Sequence, residues 1–166
     1  MEDSLIGNLL LFVLVSAVNT AMSFLVPAKV LNPCNWLFRT REWEREGMAY
    51  QKLFRIKKWK NALPELGDFF KGVFAKKKIK RFELDYLREF AVETCRAELT
   101  HEGIILSSFL FALWASPQVS LAIITVSIFL NIPFIMIQRH NRPRIVNMLA
   151  RNNVFFNAPA DVTVGN

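Results

Sequence analysis

Cysteine, histidine and acidic residues are all scarce in this 166-residue chain, and each shortage closes a route. Two cysteines, Cys34 and Cys95, with no CxxC pair and no metal-like spacing, do not indicate a disulfide framework. Both fall in a basic stretch assigned below to the cytoplasm, where thiols stay reduced, and both read as small semi-buried hydrophobes. There are two histidines, His101 and His140. The fullest metal set they allow adds Glu98, and no second Glu-x-x-His pattern repeats it, so no metal and no cofactor are expected. No serine or cysteine sits in a recognisable nucleophile motif, so a covalent intermediate on the protein is not expected. Acidic residues number 14 against 21 Lys and Arg. The chain is also too short for a soluble catalytic domain beside a membrane anchor, which leaves a single domain over residues 1–166.

What the chain does have is hydrophobic residues, 52% of it, gathered into blocks instead of alternating with charge. That segregation predicts an all-α integral membrane protein. Residues 5–26 carry no charge and end before Pro27, long enough for a transmembrane helix. A cleaved signal peptide is the rival, but the acidic start, Glu2 and Asp3, lacks the positive region such peptides need. Two further spans are expected over 97–115 and 119–138. From Lys29 to Thr100 the chain holds seventeen Lys and Arg against ten Asp and Glu. The positive-inside rule therefore places this region, and the arginines after the third span, in the cytoplasm, with Met1 outside. The third span contains Asn131-Ile-Pro133, and a proline there frees a carbonyl that needs a new partner. Residues 152–166 read as a loose tail.

The stretch over 29–96 is too aromatic for a linker. Trp36, Phe38, Trp43, Tyr50, Phe54 and Trp59 are interleaved with Arg and Lys, a composition that suits the headgroup layer. Pro64 is placed to open an amphipathic helix, with Phe69, Phe70, Val73 and Phe74 as its apolar stripe. Lys76, Lys77, Lys78, Lys80 and Arg81 would rest on anionic lipid. Nucleic acid is the other partner of a basic aromatic stretch, but the flanking spans explain the composition more simply, and none is expected. From Phe82 to Glu98 the apolar spacing predicts a helix running into the second span.

At that point of entry Glu98, His101 and Glu102 share a helix face, and ionisable groups at membrane depth mark a functional site by default. Arg96 lies nearby, and Arg139, His140, Asn141, Arg142 and Arg144 follow the third span. These parts suit acyl transfer to a hydroxyl. His101 is the candidate general base, and Glu98, one turn earlier, its orienting partner. Asn141 and Arg142 are candidate donors to the carbonyl oxygen, and the arginines candidate ligands for donor phosphates. Competing readings are a structural ion pair of Glu98 with Arg96 or Arg142, and plain positive-inside anchoring for the arginines.

ETCRAELTH (93–101) and NIPFIMIQRHNRPRI (131–145), with RIKKWKNALPE (55–65) upstream, resemble the glycosyl-4,4'-diaponeurosporenoate acyltransferase family. These enzymes finish staphyloxanthin-type carotenoids. The residues carrying the resemblance are Trp59, Lys60, Glu93, Arg96, Glu98 and His101, then Asn131, Pro133, Gln138, Arg139, Asn141, Arg142, Pro143 and Arg144. His140 stands where relatives are expected to have tyrosine, and Glu102 where an apolar residue is expected.

The resemblance implies transfer of a fatty acyl group, from acyl-CoA or acyl-carrier protein as co-substrate, to a sugar hydroxyl of a glycosylated carotenoid or other glycolipid. It also implies a place in the bacterial cell membrane among membrane lipids. Catalytic roles are expected at His101 and Glu98. Substrate contacts are expected at Arg96, Arg139, Asn141, Arg142, Arg144, Trp59 and Lys60. A homo-oligomer would help three helices enclose two lipid substrates. The rivals are a non-catalytic scaffold subunit of a lipid pathway and a metal-dependent lipid-modifying enzyme.

Overall fold

The computed structural model describes residues 4–63, 83–154 and 156. The expected amphipathic helix after Pro64 and most of the expected tail lie outside these residues. Every regular element among the described residues is helical. A first helix spans Leu5–Leu25, short helices span Met48–Phe54 and Ile56–Trp59, a central helix spans Leu84–Ser108, and a long helix spans Pro117–Arg151. Single 3-10 turns cover Glu42–Glu44 and Phe109–Leu113.

Two of these helices, the first and the long one, are long and apolar enough to cross a membrane. The region expected as a middle span, 97–115, is the end of the central helix followed by the 3-10 turn. The long helix continues through both Pro133 and Pro143 to Arg151, well past the expected end of its span at 138. Its 35 residues exceed the roughly 20 that a bilayer core requires, so the polar segment from Gln138 onward lies beyond a hydrocarbon-length stretch.

The chain groups into two compact units, Met1–Pro27 with Arg96–Gln138, and Ala28–Cys95 with Arg139–Asn166. In the first unit the burial pattern is inverted. On the first helix Asn8 and Ser23 are buried beside Phe12, while Ile6, Leu10, Val13, Leu14 and Leu25 are exposed. Its polar groups face protein partners. Asn19 Nδ2 donates to Ser107 Oγ at 3.0 Å, and Trp114 Nε1 donates to Asn8 Oδ1 at 3.2 Å. A small apolar cluster of Phe12, Ile104, Phe111 and Ile123 fills the rest. A surface of leucine and phenylalanine around a polar seam suits hydrocarbon as the surroundings, because lipid offers those polar groups no alternative partner.

The second unit has an apolar core, and it also buries the ionisable Glu44, His140 and Arg142. Leu87, Phe90 and Ala91 of the central helix meet Ile145 and Leu149 of the long one, with Tyr86, Met148, Val154 and Phe156 packed around them. The connection over residues 26–47 is a run of turns held by asparagines, Asn32 capping the Cys34 N–H at 2.8 Å and Asn35 reaching the Val30 carbonyl. Leu31 and Phe38 anchor it by burial.

Candidate active site

In the first unit the central helix presents His101 to the long helix. His101 Nδ1 lies 2.7 Å from Asn131 Oδ1. The orientation of that amide follows from its nitrogen, which donates to the Ser127 carbonyl at 2.8 Å. Asn131 therefore offers an oxygen to the ring, so Nδ1 carries a proton, and in the neutral ring the lone pair falls on Nε2. Phe134 stacks on the same imidazole, with centroids 4.7 Å apart and planes 10° from parallel. Asn131 and Phe134 are three apart, so one helix face holds the ring at both its edge and its plane. An imidazole fixed in one tautomer, with Nε2 as the basic atom, is the arrangement a general base needs.

Glu98, one turn before His101, is fully buried. Arg96 closes the end of the first helix: its Nη1 donates to the Ser23 carbonyl and, at 3.0 Å, to the Val26 carbonyl. The last carbonyls of a helix have no partner within it, and a guanidinium there also meets the negative end of the helix dipole. A substrate contact was expected of Arg96; the structure shows it bracing a helix terminus.

The remaining candidates lie in the second unit. Arg142 is 2% exposed, and three of its nitrogens are spent within the protein. Nε donates to Thr94 Oγ1 at 3.0 Å, Nη2 to the Thr94 carbonyl at 3.0 Å and Nη1 to the Phe38 carbonyl at 2.8 Å. Its guanidinium also lies over the Phe38 ring. Arg139 pairs with Glu44 Oε1 at 3.1 Å and donates to the Leu37 carbonyl. Glu44, itself buried, accepts further from Tyr50 Oη and the Arg41 N–H. These two arginines fasten the 37–44 segment to the helices of this unit. Their expected task was holding phosphate, and the spacing of charges along the chain could not show which carbonyls they would meet.

Lys60, Asn141 and Arg144 are placed differently. Lys60 Nζ donates to Asn141 Oδ1 at 3.1 Å, and Arg144 Nη2 approaches Met48 Sδ at 3.8 Å. Trp59 is half-buried and donates from Nε1 to the Phe54 carbonyl at 2.8 Å. Beside them His140 is fully buried, with Nδ1 2.8 Å from the Gly47 carbonyl. A carbonyl only accepts, so Nδ1 is protonated. His140 Nε2 is buried and has no hydrogen-bond partner among the described residues. Burial, and next to it the positive charges of Arg144, Lys60 and Lys57, push the His140 pKa down to about 4 against the pull of the Gly47 bond. The ring is neutral at pH 7. Gly47 reaches it at the end of three successive left-handed residues, Arg45, Glu46 and Gly47.

Among the described residues no three His, Cys, Asp or Glu side chains gather to hold a metal ion. Asn131 and Phe134 are the site residues that spacing alone did not assign. The signal available was an amide inside an apolar run, where a polar side chain is expensive and points to function.

The model of the glycosyl-4,4'-diaponeurosporenoate acyltransferase family matches residues 34–151. A relative of that name from Staphylococcus haemolyticus (strain JCSC1435) is 32% identical over 120 residues, covering 72% of this chain and 69% of its own. Another, from Staphylococcus aureus (strain MRSA252), is 28% identical over 125 residues, 75% and 74% of the two chains. No solved structure matches the chain. The match spans the central helix, His101, Asn131 and the basic segment after it, and the chain belongs to the glycosyl-4,4'-diaponeurosporenoate acyltransferase family.

Proposed function

We propose that the protein transfers a fatty acyl group from a thioester, acyl-CoA or acyl-carrier protein, to a sugar hydroxyl of a glycosylated carotenoid, with His101 as general base. The observation that carries this reading is the Ser127–Asn131–His101 chain of hydrogen bonds, which leaves the basic lone pair on Nε2. In the reaction Nε2 takes the hydroxyl proton as the sugar oxygen attacks the thioester carbonyl. The tetrahedral intermediate then expels the thiolate, which recovers that proton from the imidazolium, giving an ester and a free thiol. Asn131 takes the orienting part first assigned to Glu98. Glu98 remains as a buried carboxylate one turn away, suited to stabilise the imidazolium. The acceptor named in the relatives is itself a lipid, and the exposed apolar surface of the first unit suits a protein that works within the bilayer. We read three spans, with the end of the central helix as the middle one; the Lys and Arg bias of residues 29–100 puts the amino terminus outside and the carboxy terminus in the cytoplasm.

The test is acyl transfer by the purified full chain, given acyl-CoA and the glycosylated carotenoid and read by mass spectrometry as a gain of one acyl unit. His101→Ala is expected to lower the rate by roughly 10²–10⁴-fold, the usual size of general-base catalysis. Asn131→Leu is expected to cost roughly 10–100-fold, as loss of an orienting partner does, and to mix the two ring tautomers in nitrogen NMR. A folded His101→Ala protein with full activity would remove the base assignment. A wild type inert toward every lipid acceptor would favour a scaffold instead.

A further inference from the structure

The groups around His140 form a second polar cluster, built wholly within the second unit. His140, Asn141 and Arg144 lie within one turn of the long helix, and residues three and four apart share a face. Lys57 and Lys60 are likewise three apart at the short helix Ile56–Trp59, and Lys60 keeps helical backbone angles. Ile56, wholly buried, seats that short helix, and the 3.1 Å bond from Lys60 to Asn141 ties it to the long one. Among the described residues Arg144 reaches a thioether sulfur, a weak acceptor. Of the three acids in the adjoining loop, Glu42, Glu44 and Glu46, the second is engaged by Arg139 and Tyr50 and the third by Asn147. At the centre sits a buried imidazole whose Nε2 has no partner among the described residues.

We propose that Lys57, Lys60 and Arg144 form an anion site beside His140 that binds a phosphoryl group, as carried by a phosphopantetheine thioester or a phospholipid headgroup. Naming the thioester as one source rests on the acyl-transfer reading; the site itself does not. Phosphoryl oxygens accept from ammonium and guanidinium groups in short charge-assisted bonds. A bound anion also offsets the three positive charges that oppose protonation of His140. The ring then takes a proton more readily. Arg139 and Arg142, one and two residues from His140 on the long helix, are bound to Glu44 and to the Phe38 and Thr94 oxygens.

The chain has two histidines, so carbon-13 labelling of their rings gives two resolved titrations, assigned with His101→Gln. The full chain in maltoside micelles, which bring no phosphate, is titrated with and without coenzyme A, with inorganic phosphate, and with phosphatidylglycerol mixed into the micelle. Either coenzyme A or phosphatidylglycerol is expected to raise the His140 midpoint by about one unit or more, and whichever does so names the source. The Lys57→Gln/Lys60→Gln variant is expected to weaken that ligand at least about tenfold, since each charged hydrogen bond is worth roughly that factor. A His140 titration unmoved by all three probes overturns the site, and the wild type alone gives that answer even if the variant misfolds. Binding is read without turnover. An inactive enzyme that binds coenzyme A therefore refutes the transfer reading alone, and an active one whose His140 is unmoved by all three probes refutes the site alone.

Discussion

The two units bury different polar groups. In the first these are chiefly neutral, Asn8, Ser23, Ser108, Ser120, Ser127 and Asn131, with leucines exposed around them; in the second, the ionisable Glu44, His140 and Arg142 are buried beside an aliphatic and aromatic cluster. The contrast is consistent with a membrane protein whose exposed apolar helices lie in the first unit. Where lipid surrounds the protein, apolar contact inside offers no advantage over apolar contact outside, so specificity comes from hydrogen bonds such as Asn19–Ser107 and from close approach. Where water is the surroundings, burying Phe90 and Leu149 stabilises, and a buried charge survives only if every donor is used. The two histidines follow the same division. His101 is gripped by a side-chain amide and an aromatic face, whereas His140 is enclosed by backbone and cations.

The two arginines that meet backbone carbonyls sharpen this comparison most. Arg142→Ala removes three buried hydrogen bonds and leaves the Phe38 and Thr94 carbonyls without that donor, so about 3–5 kcal/mol of stability should be lost. Arg96→Ala acts at a half-buried helix end, where water can replace the guanidinium, and should cost only about 1 kcal/mol. Thermal unfolding in detergent separates the two. Equal losses would mean that the second unit does not depend on its buried charge as the geometry implies.

Acid should act next, and through His140. Its folded pKa, about 4, lies below the ordinary value of 6.5, so the unfolded chain binds the proton more tightly. Its contribution to stability is complete above pH 6.5, falls as the pH drops toward 4, and changes no further below that. The full loss is up to about 3 kcal/mol. His140→Gln should flatten the unfolding curve between pH 6.5 and 4, measured at fixed salt. An unchanged acid slope in that variant would assign the effect to other groups.

Much of this was legible from residue order because it depends on blocks. The uncharged run at 5–26 appears as the helix Leu5–Leu25, since length and apolarity alone decide it. His101 stands out because an ionisable group beside an apolar run is rare. What stayed hidden depends on contacts far apart in sequence. Arg96 meets Ser23 and Val26 across some seventy residues, and Arg142 meets Phe38 across about a hundred. Charge counting treats both as anchors or anion ligands, because nothing local distinguishes a guanidinium bound to carbonyls from one awaiting phosphate. Asn131 stands in the sequence only as an amide two residues before Pro133, and its tie to His101 needed the helix–helix register.

Two glycines give the finest test of the same contrast. Gly47 sits at φ +81°, and a Cβ there would stand 2.7 Å from the His140 carbonyl oxygen and 3.0 Å from its Cα. Backbone cannot step aside, and left-handed φ adds strain, so Gly47→Ala should cost about 1–3 kcal/mol and disturb the His140 resonance. Gly103 lies within a helix, and its added Cβ would meet only the Asn19 side-chain oxygen, at 2.9 Å. That amide can rotate away, at the expense of its 3.0 Å bond to Ser107. Alanine gains about 1 kcal/mol of helix propensity over glycine, which offsets most of that loss, so Gly103→Ala should be close to neutral in unfolding experiments. If Gly103→Ala proved the more damaging of the two, close approach between helices in the first unit would matter more than its hydrogen bonds, and the account of how lipid-facing packing is specified would have to change.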